Sequence, residues 1–203
     1  MRPLISIILV TYNRCEVLKL AIQSVLGQTF RDWELWVMGE ACTDDTEKGV
    51  AAFKDPRIHF VNLENQGEEP LRPNNEGFRL SRGAYIAYLH HDDLWLSDHL
   101  ETVLSGIQRT RADLVFTLTD RIMKNGIHYL TGAKPAGQPR AYNFIPASSW
   151  FLRRELLEEI TPLRFYKECH AAPSQEWLFR AHRAKKDIRL IRKMTVISVQ
   201  SGY

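Results

Sequence analysis

Over roughly the first hundred residues, segments rich in β-formers alternate with segments whose apolar residues recur at helical spacing, and this alternation constrains the fold more than any other feature. Leu4 to Val10 is an apolar run broken only by Ser6. Val17, Leu18, Ala21, Val25 and Leu26 then fall on one face of a helix over Glu16 to Leu26, with Gly27 as its stop. Trp33 to Met38, Ile58 to Asn62 and Ala84 to Leu89 are further strands. Between them, Thr43-Asp44-Asp45-Thr46 supplies N-cap oxygens for a helix through Phe53, and Pro73 opens a helix to Leu80 that Gly83 ends. Ser97 caps a fourth helix reaching about Arg111, and Leu114 to Thr117 is a short strand. Such a series folds as an α/β, doubly wound, mostly parallel sheet of Rossmann-like type, with helices on both faces.

Beyond residue 118 the alternation weakens. Arg121 to Met123, the turn Lys124-Asn125-Gly126 and Ile127 to Leu130 predict a hairpin. Thr131 to Tyr142 reads as a Gly- and Pro-rich loop, as does the polar stretch Leu63 to Arg72. Ser148 to Leu152 predicts a strand, Arg153 to Ile160 and Gln175 to Lys185 helices, and Ile188 to Ile197 closing strand material. The expectation is one domain over 1–203, regular over 1–117 and irregular over 118–203.

Composition narrows the function classes. A formal charge of +3 gives no reason to expect nucleic acid as a partner, and 44% hydrophobic with 25% charged residues excludes a disordered tail, a fibre or a coiled coil. Cys15, Cys42 and Cys169 are odd in number and lack paired spacing, so they read as free thiols in a reducing, cytoplasmic compartment. The opening apolar run is too short for a signal peptide or a membrane span. No GxGxxG follows the first strand and no GxxxxGK[ST] occurs, which argues against a dinucleotide-binding dehydrogenase and a P-loop NTPase.

In open α/β folds ligands bind beyond the carboxyl ends of the strands. Three polar clusters stand there: Thr11-Tyr12-Asn13-Arg14, Glu40 with Thr43-Asp44-Asp45, and His91-Asp92-Asp93. Adjacent Asp92 and Asp93 after a buried strand would cost several kcal/mol, roughly, if uncompensated, and a divalent cation would remove that cost. Oxygen ligands favour Mg²⁺ or Mn²⁺ bridging to phosphates. The plain alternative is that the two aspartates cap the following helix. Likewise His90, His91 and His170 read first as polar residues at a strand end or in a loop, and Trp33, Trp36, Trp95, Trp150 and Trp177 as packing.

The ordered series Ile5 to Arg14, Ser24-Val25-Leu26-Gly27-Gln28-Thr29, Trp33-Glu34-Leu35, Thr43 to Thr46, Asn75-Glu76-Gly77, Gly83 to Leu89 and Asp92-Asp93 resembles a family 2 glycosyltransferase of the GT-A fold. The likeness spans residues 4 to about 104 and continues weakly at Ser174 to Arg180. It implies an inverting, metal-dependent transfer of a sugar from a nucleotide-diphospho-sugar, a UDP-sugar in preference to a GDP-sugar, to a hydroxyl of a glycan or lipid-linked acceptor in cell-surface polysaccharide assembly. It further implies that Thr11, Tyr12, Arg14, Glu40, Asn75 and Asp92 contact the nucleotide, that Asp93 ligates Mn²⁺ or Mg²⁺, and that Glu176 deprotonates the acceptor. Peripheral association with the inner face of a membrane would suit a lipid-linked acceptor. The chain departs from the family where Gly39-Glu40-Ala41-Cys42 replaces an Asp-Asp-Gly-Ser-like run. It departs again where His91, preceded by His90, takes the first position of the Asp-X-Asp pattern. A catalytically silent nucleotide-sugar or glycan-binding module is the competing expectation.

Overall fold

A computed structural model describes residues 2–64, 72–132, 145–160, 163–164 and 172–199. Its nine strands form one sheet: β1 (Ile5–Thr11), β2 (Trp33–Glu40), β3 (Ile58–Leu63), β4 (Tyr85–His90), β5 (Asp93–Trp95), β6 (Leu114–Ile122), β7 (His128–Thr131), β8 (Trp150–Arg153) and β9 (Ile188–Val199). The order is β3-β2-β1-β4-β8-β6-β9-β5, with β7 paired to β6 outside that path. The first four strands run parallel, as their near-continuous apolar sequences predict. The chain moves outward from β1 to β3 and returns to the other side of β1 as β4. That reversal opens a crevice at the carboxyl ends of β1 and β4.

Alternate residues of the strands feed two apolar layers. Ile5, Ile7 and Leu9 face one layer with Leu35, Val37, Ala87 and Leu89, covered by α1 (Cys15–Leu26), α2 (Thr46–Ala51) and α4 (His99–Thr110). Ile8, Met38, Ile86 and Tyr88 face the other, where Trp150 and Trp177 pack with residues of α3 (Arg72–Leu80), α5 (Arg154–Glu159) and α6 (Pro173–Arg183). Helices therefore cover both faces, as the sequence predicts. Four of the five tryptophans, Trp33, Trp95, Trp150 and Trp177, are buried packing residues.

The regular half is built on close approach. A Cβ on Gly83 would lie 2.5 Å from the Ser6 backbone nitrogen, so only glycine lets the chain enter β4 against β1. Gly83 N–H donates to Ser6 Oγ, and Ser6 Oγ donates to the buried carboxylate of Glu34, 2.6 Å away.

Several boundaries differ from expectation. The fourth helix has Asp98, not Ser97, at its N-cap. The carbonyl of Ser97 instead accepts from Thr29 N–H. The strand expected to end at Thr117 runs on to Ile122 as the first arm of the hairpin, because it pairs with β8, β9 and β7 in succession. Ser148 and Ser149 lie in a 3-10 turn (Ala147–Ser149) that precedes β8 rather than in the strand itself. Most of the Leu63–Arg72 and Thr131–Tyr142 stretches, with Cys169 and His170, lies outside the described residues. No helix among the described residues is long and apolar enough to cross a membrane.

Candidate active site

The loops after β1 and β2 are joined by side chains. Asn13 and Arg14 adopt left-handed backbone conformations, φ 52° and 63°, which turn the chain sharply out of β1 into α1. Asn13 Oδ1 accepts the backbone N–H of Thr43 at 2.9 Å, and Asn13 N–H points at Cys42 Sγ. Asn62 at the end of β3 brackets Cys42, accepting its N–H at 2.8 Å and donating to its carbonyl at 2.9 Å. Thr11 is buried and its hydroxyl donates to Asn13 O, so it shapes the loop from within. Tyr12 is exposed on the same loop. Glu40 ends β2 opposite Leu63, and its carboxylate, without a hydrogen-bond or ion-pair partner among the described residues, is held above the usual carboxylate range by burial.

The β4 end carries the densest cluster. His90, Asp92 and Asp93 each offer a ligand atom, and these atoms lie within 4.8 Å of one another. Asp93 is not a helix cap: it begins β5, which pairs antiparallel with β9, and it is 3% exposed. Burial raises its pKa, while His90 nearby and hydrogen bonds from Ser148 and Ser198 favour the anion. Ser148 binds twice, its hydroxyl donating to Asp93 Oδ2 and accepting the backbone N–H of His90 at 3.0 Å. The imidazole beside the carboxylates belongs to His90, whose Nδ1 is 3.8 Å from Asp93 Oδ2. His91, placed in the Asp-X-Asp pattern by sequence, turns instead toward Val10 O, 3.4 Å from its Nδ1. Burial lowers its pKa, with the Arg14 charge acting in the same direction, so β1 and β4 loops meet there. One nitrogen and two carboxylates, one of them buried, form a donor set that suits a divalent cation.

Glu176 lies in the first turn of α6, where Trp177 packs on Trp150 with ring centroids 5.7 Å apart. Arg180 Nε lies 3.0 Å from both carboxylate oxygens and Arg164 Nη1 3.8 Å from one. The side chain is 16% exposed. Gln175 exchanges hydrogen bonds with the backbone of Ile145. Ile145 is three residues from Ser148, a span of at most about 11 Å, and so one short segment ties the head of α6 to Asp93. Asn75, in α3, does not face a strand end with its amide: Nδ2 donates to Leu163 O at 3.2 Å.

Sequence reasoning missed Ser148, Ser198 and Arg164. Arg180 was detectable as the i+4 partner of Glu176 on a helix, whereas nothing local distinguishes Ser148 from any other buried serine.

The model of the family described as Glycosyl transferase family 2 matches residues 6–167, most of the chain. The chain belongs to this family. One relative is the UDP-Glc:alpha-D-GlcNAc-diphosphoundecaprenol beta-1,3-glucosyltransferase WfgD of Escherichia coli, 31% identical over 140 residues that cover 69% of this chain and 54% of that protein. The chain thus spans about half the length of this relative. Staphylococcus aureus TarS 1-349 in complex with UDP-GlcNAc superposes with a TM-score of 0.78 at 18% identity, over 100% of this chain and 60% of that one. The mannosyltransferase PcManGT of Pyrobaculum calidifontis, in complex with GDP-Man and Mn²⁺, gives 0.73 at 16% identity, over 98% and 57%. These likenesses bear out the GT-A fold.

Proposed function

We propose that this chain is the catalytic module of an inverting glycosyltransferase that moves a sugar from a nucleotide-diphospho-sugar to an acceptor hydroxyl in cell-surface glycan assembly. The observation that carries the reading is the His90, Asp92 and Asp93 cluster at the β1/β4 crevice, within a family 2 chain. Tyr12, Arg14 and Glu40 line the nucleotide end of the crevice, with Thr11 shaping its loop and Asp92 meeting the ribose and diphosphate. Asn75 acts from α3 beside residue 163. Residues 1–117 hold the donor and 118–203 the acceptor. A UDP donor is the reading that the WfgD and TarS likenesses support, while GDP-Man in PcManGT keeps a GDP donor as the outcome to test against. A lipid-linked acceptor, as in the name of WfgD, would place the chain at the cytoplasmic face of a membrane.

A divalent cation, Mn²⁺ or Mg²⁺, held by Asp93 with its neighbours, would supply stabilisation of the negative charge that develops on the departing diphosphate. Glu176 takes the proton of the acceptor hydroxyl. As that oxygen bonds to the anomeric carbon, the carbon–oxygen bond to the diphosphate breaks on the opposite face, inverting the centre. For this Glu176 must exchange at least one Arg180 contact for the acceptor O–H. Arg180 and Arg164 then hold the carboxylate in one orientation.

Titrating UDP and GDP calorimetrically, with Mn²⁺ and with chelator, tests the donor half. Metal-dependent binding of one diphosphate, lost in Asp93→Ala, is expected. Glu176→Gln should keep that binding and lose transfer by roughly 10²- to 10⁴-fold. The engagement of Glu176 by two arginines favours one rival, a silent binding module, and equal transfer by the wild type and Glu176→Gln, or none by either, would select against a base at this position.

A further inference from the structure

We infer that His90 is a nitrogen ligand that sets metal choice, so that the ion accompanying the nucleotide in this chain is a transition metal such as Mn²⁺ or Co²⁺ rather than Mg²⁺. The inference rests on the metal-assisted donor reading above and goes beyond it to the identity of the ion.

The imidazole ends β4 with its side chain 53% exposed, yet its backbone is fixed. His90 N–H is bonded to the hydroxyl of Ser148, which is fully buried and also donates to Asp93. One hydroxyl thus fixes the strand end that carries the imidazole relative to the carboxylate. The 3.8 Å separation of His90 Nδ1 and Asp93 Oδ2 is too long for a hydrogen bond. It is close to the separation of two ligands that share one ion at bond lengths of about 2.1 Å, which is roughly 3 Å, and a half-exposed imidazole can close the difference by rotation. His91 stands outside this cluster, its half-buried ring turning Nδ1 toward Val10 O.

The consequence is chemical. An all-oxygen site suits Mg²⁺, which takes carboxylates, phosphates and waters in a strict octahedron. Replacing one oxygen by imidazole nitrogen favours ions further along the order Mn²⁺, Fe²⁺, Co²⁺, Ni²⁺. Two carboxylates, Asp92 and Asp93, remain to bind the ion.

The test uses the whole chain with UDP and a metal as probes. Metal-dependent UDP affinity is measured with Mn²⁺, Co²⁺ and Mg²⁺ for the wild type, His90→Asp and His90→Gln, and the Mn²⁺ complex is examined by pulsed electron paramagnetic resonance. The nucleotide's own preference among metals cancels between variants. The wild type should show imidazole-nitrogen modulation of the Mn²⁺ signal, absent in His90→Gln. Its preference for Mn²⁺ and Co²⁺ over Mg²⁺ should fall at least fivefold in His90→Asp. The side chain is half exposed, so neither variant empties a buried site, circular dichroism checks that both keep the fold, and His90→Gln preserves size where His90→Asp adds charge. Metal-dependent UDP binding with no nitrogen modulation and an unchanged preference in both variants would overturn the inference and leave the donor reading intact. No metal-dependent binding of UDP or GDP by the wild type would overturn both.

Discussion

The β1–β4 half and the β6–β9 half reach the same crevice by different means. In the first, apolar runs become parallel strands in the order β3-β2-β1-β4, and topology brings Glu40, His90 and the Tyr12–Arg14 loop to strand ends, where Asn13 and Asn62 side chains join the β1 and β2 loops. In the second, antiparallel β8 separates β4 from β6, and β9 carries β5 on its far edge. There the groups of interest are placed by individual side-chain hydrogen bonds: Ser148 to Asp93, Gln175 to Ile145, Arg180 to Glu176. A backbone ladder spreads its support over many bonds, whereas a bracket of single contacts concentrates it in one or two residues.

The sharpest way to break the contrast is to attack the first half where its backbone is irreplaceable. Gly83→Val would drive a branched side chain into β1, because even a Cβ stands 2.5 Å from Ser6 N and 2.7 Å from Ile5 C. No rotamer relieves a clash with backbone, so β1 and β4 must separate and the Ser6–Glu34 hydrogen bond goes with them. The expected outcome is loss of the cooperative fold, a cost beyond about 4 kcal/mol, read as absence of a thermal transition by circular dichroism. A transition near that of the wild type would show that the β1–β4 pairing tolerates slack and is not the rigid part.

The second half has its own vulnerability, in acid. His99 is fully buried at the start of α4, stacked on Trp95 with centroids 4.4 Å apart, and its Nδ1 is 2.7 Å from Thr195 Oγ1, which donates onward to Thr117. Burial lowers its pKa from 6.5 to about 3, against the opposite pull of Asp98. The unfolded chain therefore takes up a proton below pH 6.5 that the folded chain refuses. Stability falls as pH drops from 6.5 toward 3, by at most about 5 kcal/mol in all and about 2 kcal/mol by pH 5. Asp93, whose pKa is raised, acts in the other direction near the lower end of that window. Urea unfolding at pH 7 and pH 5 checks this: His99→Phe should flatten the dependence, and an equal slope in both proteins would assign the acid loss elsewhere.

How far each half was legible in sequence follows the same division. Periodicity located β1 to β4 and their helices to within a few residues, and the switch point then pointed to Thr11–Arg14, Glu40 and His91–Asp93. What it could not supply was which imidazole turns inward. Side chains alternate along a strand, but the chain leaves β4 at His90, and one residue past a strand end that alternation no longer decides direction. Asp93 also begins a three-residue strand, too short to carry a period. In the second half Glu176 came only from family likeness and Ser148 from nothing at all, because their positions depend on contacts across 55 residues of sequence in one case and on two arginines in the other.

Ser148→Ala gives the smallest effect and the finest cut. It removes the donor to Asp93 and the acceptor of His90 N–H while deleting only one oxygen from a fully buried site. Each orphaned group would regain partial partners, so stability should fall by about 1–2 kcal/mol, measured by urea unfolding. If the bracket from the second half truly positions the metal cluster, Mn²⁺-dependent UDP affinity should fall by about tenfold as well, and Ser148→Thr should restore most of it by returning the hydroxyl. Loss of stability with unchanged affinity would mean that the β4 end holds His90, Asp92 and Asp93 in place without help. In that case the first half builds the donor site by topology alone, and the bracket serves only to dock α6 with Glu176 against it.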